Sequence, residues 1–231
     1  MTLLSQLLAD DPASPRLSVY DEASGARLDF SAQTLDNWTS KVGNLLLEEF
    51  DAQPGATRVE LRLPSGWQAV ALVLGALSAG CEVVLGEHGA PTEADVLFCS
   101  LDAADEDVPA AEAAGSELVV LTADPLGRGV EEIGEELPSL DAIDFGPTVR
   151  SYGDQFVEPC PTLAEAWAAH TNAPLPPAER YLCTGWSSTE ELWSRVLGPL
   201  AAGGSVVIAA GLRPAEELER IARAEKVTAR L

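Results

Sequence analysis

The densest run of chemically capable side chains is Cys183-Thr184-Gly185-Trp186-Ser187-Ser188. It sets a thiol, hydroxyls and an indole directly after Arg180 to Leu182, a short apolar stretch that reads as a strand. Groups at the C-terminal end of a strand in an α/β protein line ligand crevices. Cys183, Thr184, Trp186 and Ser187 are therefore candidate pocket residues. The competing reading is a buried tryptophan followed by a helix cap, because Ser188 precedes Glu191 at capping spacing. Nucleophilic chemistry is poorly served. A serine elbow needs G-x-S-x-G, and Gly185-Trp186-Ser187-Ser188-Thr189 fails at its last position. Cys183 and His170 would form a thiol–imidazole pair only if the fold joined them, and their spacing does not require it. No residue is assigned a catalytic role.

Other candidates are weaker. Gly127-Arg128-Gly129 lacks the third glycine of a dinucleotide fingerprint and reads as a turn. Cys81, Cys99, Cys160 and Cys183 are far apart and form no C-x-x-C pair, the pattern of core thiols in a reducing cytoplasm. His88 and His170 have no cysteine or acid cluster at ligand spacing, so neither a metal nor a cofactor is expected. Glu131-Glu132 and Glu135-Glu136 fall at helical spacing and read as a solvated face.

Charge limits the partners. The chain has 231 residues, and 37 carboxylates oppose 14 Lys and Arg for a formal net charge of −23. Only Lys41 and Lys226 are lysines. Such a surface repels nucleic-acid phosphates and anionic lipid, and repels ATP unless a local cation intervenes. No nucleic-acid or membrane partner is expected. The N-terminus has no basic region or cleavage site of a signal peptide, and Trp67 to Leu77 is too short to span a bilayer, so the expected location is cytoplasmic.

The positioning elements follow from periodicity. Leu3 to Leu8 reads as a short helix. Leu17 to Tyr20 and Arg27 to Phe30 flank Ala23-Ser24-Gly25 as a hairpin. Ser31 caps a long helix with Leu35, Trp38, Val42 and Leu45 on one face. Arg58 to Leu63 alternates, which predicts a strand with Arg58, Glu60 and Arg62 on a wetter side. Ser65 and Gln68 have capping-box spacing ahead of a helix apolar almost all round, from Trp67 to Leu77. Strands at Glu82 to Leu85, Val96 to Cys99 and Leu118 to Leu121 alternate with a helix from Ala104 to Ala114. This is the order of a parallel sheet with crossover helices. The pattern weakens from Thr122 to Pro161, where a short acidic helix over Val130 to Glu136 is expected. It returns with a helix from Thr162 to His170, the strand Arg180 to Leu182, a helix after Ser188, the strand Ser205 to Ile208 and a helix from Pro214 to Glu225. Val227 opens a last strand.

Two stretches together resemble the adenylate-forming superfamily of acyl-CoA synthetases, adenylation domains and luciferases. The first runs through Leu28-Asp29-Phe30-Ser31, Pro54-Gly55-Ala56-Thr57-Arg58-Val59 and Leu63-Pro64-Ser65-Gly66 to Ser78-Ala79-Gly80. The second is Glu179-Arg180-Tyr181-Leu182 with Gly198-Pro199-Leu200-Ala201-Ala202-Gly203-Gly204-Ser205-Val206-Val207. The layout is also similar to a group of short actinobacterial proteins. The resemblance implies a doubly wound α/β fold of mostly parallel sheets with flanking helices, like the N-terminal subdomains of acyl-CoA synthetases. It implies one AMP-binding-like domain over 1–231, with sub-lobes 1–121 and 162–231 joined by an irregular 122–161.

The resemblance also shows what is missing. The family grips ATP through a Ser/Thr/Gly-rich loop followed by Pro-Lys-Gly, which belongs between the two stretches. Here that region reads Asp144-Phe145-Gly146-Pro147-Thr148-Val149-Arg150-Ser151-Tyr152-Gly153-Asp154-Gln155, with no glycine–hydroxyl cluster and no lysine. The family's later nucleotide-contacting motifs and catalytic lysine are not found either. A non-catalytic binding or interaction module with a protein or small-molecule partner follows as the expectation. The alternatives are an adenylate-forming fragment needing a partner chain, and an unrelated α/β small-molecule enzyme. A shortened parallel sheet leaves an open edge, to be covered by the 122–161 segment or by a second copy in a homodimer.

Overall fold

A computed structural model, describing residues 2–21, 25–211 and 213–231, gives the order α1 (Ser5–Asp10), β1 (Pro15–Tyr20), β2 (Arg27–Ser31), α2 (Ala32–Glu49), β3 (Arg58–Arg62), α3 (Trp67–Ser78), β4 (Glu82–Leu85) and β5 (Val96–Ser100). There follow α4 (Ala104–Ala114), β6 (Glu117–Leu121), β7 (Ile143–Asp144), α5 (Phe145–Ser151), α6 (Leu163–His170) and β8 (Arg180–Cys183). The chain closes with α7 (Thr189–Leu192), α8 (Gly198–Ala201), β9 (Ser205–Ile208), α9 (Ala215–Ala224) and β10 (Ala229–Arg230). A wide π turn at Trp193–Leu197 joins α7 to α8. Ala23 and Ser24 of the expected hairpin turn lie outside the described residues. The strands beside them pair antiparallel, with Val19 opposite Leu28.

The alternation resolves into two five-stranded sheets, each in its own compact unit. Sheet A, ordered β10-β8-β9-β1-β2, belongs to Met1–Asn37, Ser65–Val70 and Pro159–Leu231. Sheet B, ordered β4-β3-β5-β6-β7, belongs to Trp38–Pro64 and Ala71–Glu158. These units do not coincide with 1–121 and 162–231. The N-terminal hairpin is the reason, because β1 pairs in parallel with β9 and so joins the C-terminal strands.

In sheet B all pairings are parallel. Leu97, Cys99, Leu118 and Val120 of β5 and β6 pack against Ala104 and Ala111 of α4. Phe98 meets Phe145 edge-on at 6.2 Å. Helices α2 and α3 approach through glycine: a Cβ on Gly75 would stand 2.3 Å from Val42. The wetter side expected for β3 does not exist. Arg58 stays partly exposed, but Glu60 and Arg62 are buried at 6% and 1% exposure. A parallel sheet is covered on both faces, so alternation of charge does not mean access to water.

The 122–161 segment contains structure that the sequence pattern concealed. Strand β7 extends sheet B beside β6. The side chain of Asp144 caps α5 by accepting from the Gly146 N–H, and Pro147 lies in the first turn, where a missing N–H costs nothing. The expected helix over Val130 to Glu136 shrinks to a 3-10 turn at Glu131–Ile133, halted by Gly134 at φ +84°.

In sheet A, Leu182, Val207 and Ala209 pack on Ile221 and Ala222 of α9. Thr162 and Glu165 form a capping box that opens α6, the helix expected from Thr162. Trp167 packs so closely on Gly198 that a Cβ there would come within 2.6 Å of the indole. Phe30 stacks on Trp67 at 5.1 Å. Each such aromatic burial contributes on the order of 2 kcal/mol.

Candidate functional site

The four candidate pocket residues end strand β8 and lead to α7, but they do not converge. Cys183 is fully buried, and its thiol donates to the Gly185 carbonyl at 3.6 Å. Burial pushes that thiol above its ordinary pKa, which disfavours the thiolate a nucleophile requires. Thr184 is exposed and Trp186 half-buried. The Trp186 N–H donates to Ser65 Oγ at 3.1 Å. Ser65 is thus engaged with the Trp186 backbone, a use its capping-box spacing did not foretell. Gly185 takes φ +114°, and a Cβ on it would stand 3.2 Å from Ser65 Oγ, so this turn favours glycine. Exposed Ser187 donates through its N–H and hydroxyl to Glu191, at 2.7 and 2.8 Å. Arg195 then ties Glu191 to the Gly185 carbonyl. Ser188 caps α7 as its spacing predicted. The loop's polar groups therefore serve mainly to hold its own shape.

Cys183 and His170 are not a pair. His170 stacks on Trp193 at 4.1 Å with nearly parallel rings. Burial lowers its pKa. Among the described residues, no group of three or more His, Cys, Asp or Glu is placed to hold a metal ion.

Segment 144–155, which the resemblance aligns with a phosphate loop, is held by the unit's own cations. Lys41 of α2 donates to the Tyr152 carbonyl at 2.6 Å. Asn44, one turn on, donates to the carbonyls of Gly153 and Gln155 at 2.9 and 3.0 Å. The Tyr152 hydroxyl bonds to Glu49, and Phe156 lies against Gly43. Arg150 donates to the Gly127 carbonyl at 3.1 Å and pairs with Glu132 at 2.6 Å. A phosphate loop presents backbone N–H groups and a lysine to its anion. Here the lysine is spent on backbone carbonyls, and the segment's arginine on a carbonyl and a carboxylate.

Sequence reading missed a buried ionic cluster in sheet B. Arg62, at the end of β3, donates to Glu60 at 2.6 Å, Asp107 of α4 at 2.7 Å and the Ala90 carbonyl at 2.8 Å. Asp107, completely buried, also accepts from the Gly89 N–H at 2.9 Å and lies 2.7 Å from His88 Nδ1. Burial pushes the Asp107 carboxyl up, but Arg62, Gly89 and His88 more than reverse this and hold it below its ordinary range. The only sequence signal was charge at alternate positions of an apolar strand.

No family model matches the sequence. A Mycobacterium tuberculosis protein, a TIGR03089 family protein, is 38% identical over 242 aligned residues, covering 98% of this chain and 95% of its own length. Among solved structures, a Brucella canis acyl-CoA synthetase superposes with a TM-score of 0.75 at 15% identity, over 100% of this chain and 47% of its own. Acetoacetyl-CoA synthetase from Streptomyces lividans gives 0.71 at 16% identity, over 100% and 42%. ATP-bound MatB from Rhodopseudomonas palustris gives 0.65 at 17% identity, over 96% and 48%. The chain thus has the fold of a synthetase N-terminal portion and spans less than half the length of these enzymes. Identity this low establishes the fold alone.

Proposed function

We propose that this chain, which belongs to the TIGR03089 family, is a non-catalytic member of the adenylate-forming fold that serves as a binding or interaction module. The observation that carries this reading is the commitment of Lys41 and Arg150 at the 144–155 segment. Adenylation requires a carboxylate to attack the α-phosphate while cations neutralise the departing pyrophosphate. The segment holds two cations in place for its own folding, within a chain of net charge −23. Freeing Lys41 would break a charge-assisted hydrogen bond worth about 1.5–3 kcal/mol. The sheet B unit around the segment is meanwhile fully built, with a parallel sheet, the Asp144 cap on α5 and the close Gly75–Val42 contact, as a binding module requires.

The test is pyrophosphate exchange. Purified protein with Mg²⁺, ATP, labelled pyrophosphate and a panel of acyl and aryl carboxylates should return no label into ATP above a protein-free blank. Exchange dependent on one carboxylate would overturn the reading.

A further inference from the structure

Sheet A has a second edge to consider, opposite the Cys183 loop. Strands β10, β8, β9 and β1 run parallel, so their first residues share one rim. There a cavity of about 450 Å³ is lined by Arg16, Glu179, Arg180, Gly203, Ser205 and Thr228, among others. Pockets for small molecules begin at about 300 Å³. Two arginines on one cavity are notable where carboxylates outnumber cations so heavily.

The state of Arg16 is the informative detail. It is 6% exposed. Its Nη1 donates to the Gly203 carbonyl at 2.7 Å, and its Nη2 pairs with Asp10, whose own side chain is 71% exposed. Its Nε is buried and makes no hydrogen bond. Nε and Nη2 form the side of a guanidinium that a carboxylate grips with both oxygens. Asp10 takes one half of that side and leaves the other unmet. Arg180 adds an Nη1 bonded to Ser205 Oγ at 3.2 Å. That hydroxyl accepts, so its proton remains available to donate.

We propose that this rim is a binding site for a small monocarboxylate, which displaces Asp10 and engages Nε and Nη2 of Arg16 together, with the Ser205 hydroxyl as a further donor. Arg16 swings from a one-point pair with a solvent-exposed side chain to a two-point grip on the ligand. Glu179 lines the cavity, Glu225 pairs with Arg180 and Asp10 remains at the rim. These carboxylates select a single negative charge over a phosphate. The site involves none of the residues at 144–155 and requires no nucleotide, so its outcome is separate from that of pyrophosphate exchange.

The experiment is a titration of the full ¹⁵N-labelled chain, following the Arg16 Nε–H and Ser205 amide signals. Sodium acetate, sodium phosphate and sodium chloride are compared at equal ionic strength. Acetate should move both signals to saturation, while phosphate binds more weakly and chloride has no saturable effect. Asp10→Asn removes an exposed competitor and should tighten acetate binding by up to about fivefold. Ser205→Ala should weaken it. A linear acetate response matched by chloride would overturn the site. So would saturation indifferent to both substitutions, and tighter binding of phosphate would overturn the monocarboxylate assignment.

Discussion

Replacing Asp107 with alanine should destabilise the sheet B unit by about 3–4 kcal/mol. The magnitude follows from what remains. The Arg62 side chain has no exposure, and of its three acceptors only Glu60 and the Ala90 carbonyl would survive. Breaking a buried ion pair by deleting one partner costs about 3–5 kcal/mol, because the other charge stays out of water. The surviving Glu60 contact puts Asp107→Ala in the lower part of that range. The stranded Gly89 N–H adds about 1 kcal/mol. Urea unfolding followed by far-UV circular dichroism, with exchange of the Gly89 amide as a local probe, measures the loss. A cost below about 1 kcal/mol, the value of a surface pair, would refute the reasoning. Removing all the charges together (Glu60→Gln, Arg62→Met and Asp107→Leu) should cost less than Asp107→Ala alone, since no unpaired charge is left behind. The pH dependence has a definite sign. Asp107 is held below its ordinary pKa, so its contribution is complete above the usual carboxylate range and is lost as pH falls through the folded value. The deficit of Asp107→Asn relative to the native chain should therefore narrow in acid.

Three further outcomes follow from local geometry. Glu225 is pulled from its ordinary 4.5 to about 2, chiefly by its bond from Arg27 against the cost of burial, helped by Tyr20 and Arg180. The urea-midpoint gap between the native chain and Glu225→Gln should be full above pH 4.5 and close as pH falls toward 2. Burial lifts Cys81 to about 11 and Cys99 to about 12, and Cys183 is also raised and fully buried. A thiol reagent at neutral pH should therefore label half-exposed Cys160 first and the other three only on unfolding, and early labelling of Cys99 would contradict this. Lys41→Met should speed hydrogen exchange across 150–156 by about ten- to a hundredfold, from the loss of a charge-assisted bond, with α4 unchanged.

The parallel architecture was legible because it is written in local periods. The Ser188 cap, the helix opening at Thr162, the all-apolar α3 and the strands at Glu82–Leu85, Val96–Ser100 and Glu117–Leu121 occur where spacing placed them, whereas the last strand begins at Ala229 rather than Val227. The candidate site was less legible, for three physical reasons. Alternation in β3 reports which residues share a face, but only the covering helices decide whether that face is wet. Arg62 thus read as a surface cation until α4 supplied Asp107. Gly146-Pro147 falls in the stretch where the pattern weakens, because glycine and proline break helices internally, yet both are tolerated in the first turn behind the Asp144 cap. Ser65 had helix-capping spacing, but its partner at Trp186 lies 121 positions away, beyond the reach of any local rule.

Charge scarcity connects these findings. Most of the arginines are paired with carboxylates of their own unit, from fully buried Arg62 to exposed Arg128. Where carboxylates exceed cations this heavily, an anionic ligand must compete with a resident carboxylate at nearly every guanidinium it meets. At Arg150 that competitor, Glu132, accepts from Nη2 with both of its oxygens at 2.6 and 2.7 Å, and the Gly127 carbonyl accepts from Nη1. At Arg180 the competitor Glu225 is 6% exposed and shared with Arg27. At Arg16 the competitor is exposed and leaves Nε unmet. Affinity for an incoming carboxylate depends on the difference between the new pair and the old one, and that difference favours the ligand most where the resident pair is exposed and incomplete. The Arg16 rim combines an exposed competitor with a buried, unmet Nε, and the proposed carboxylate site rests on that combination.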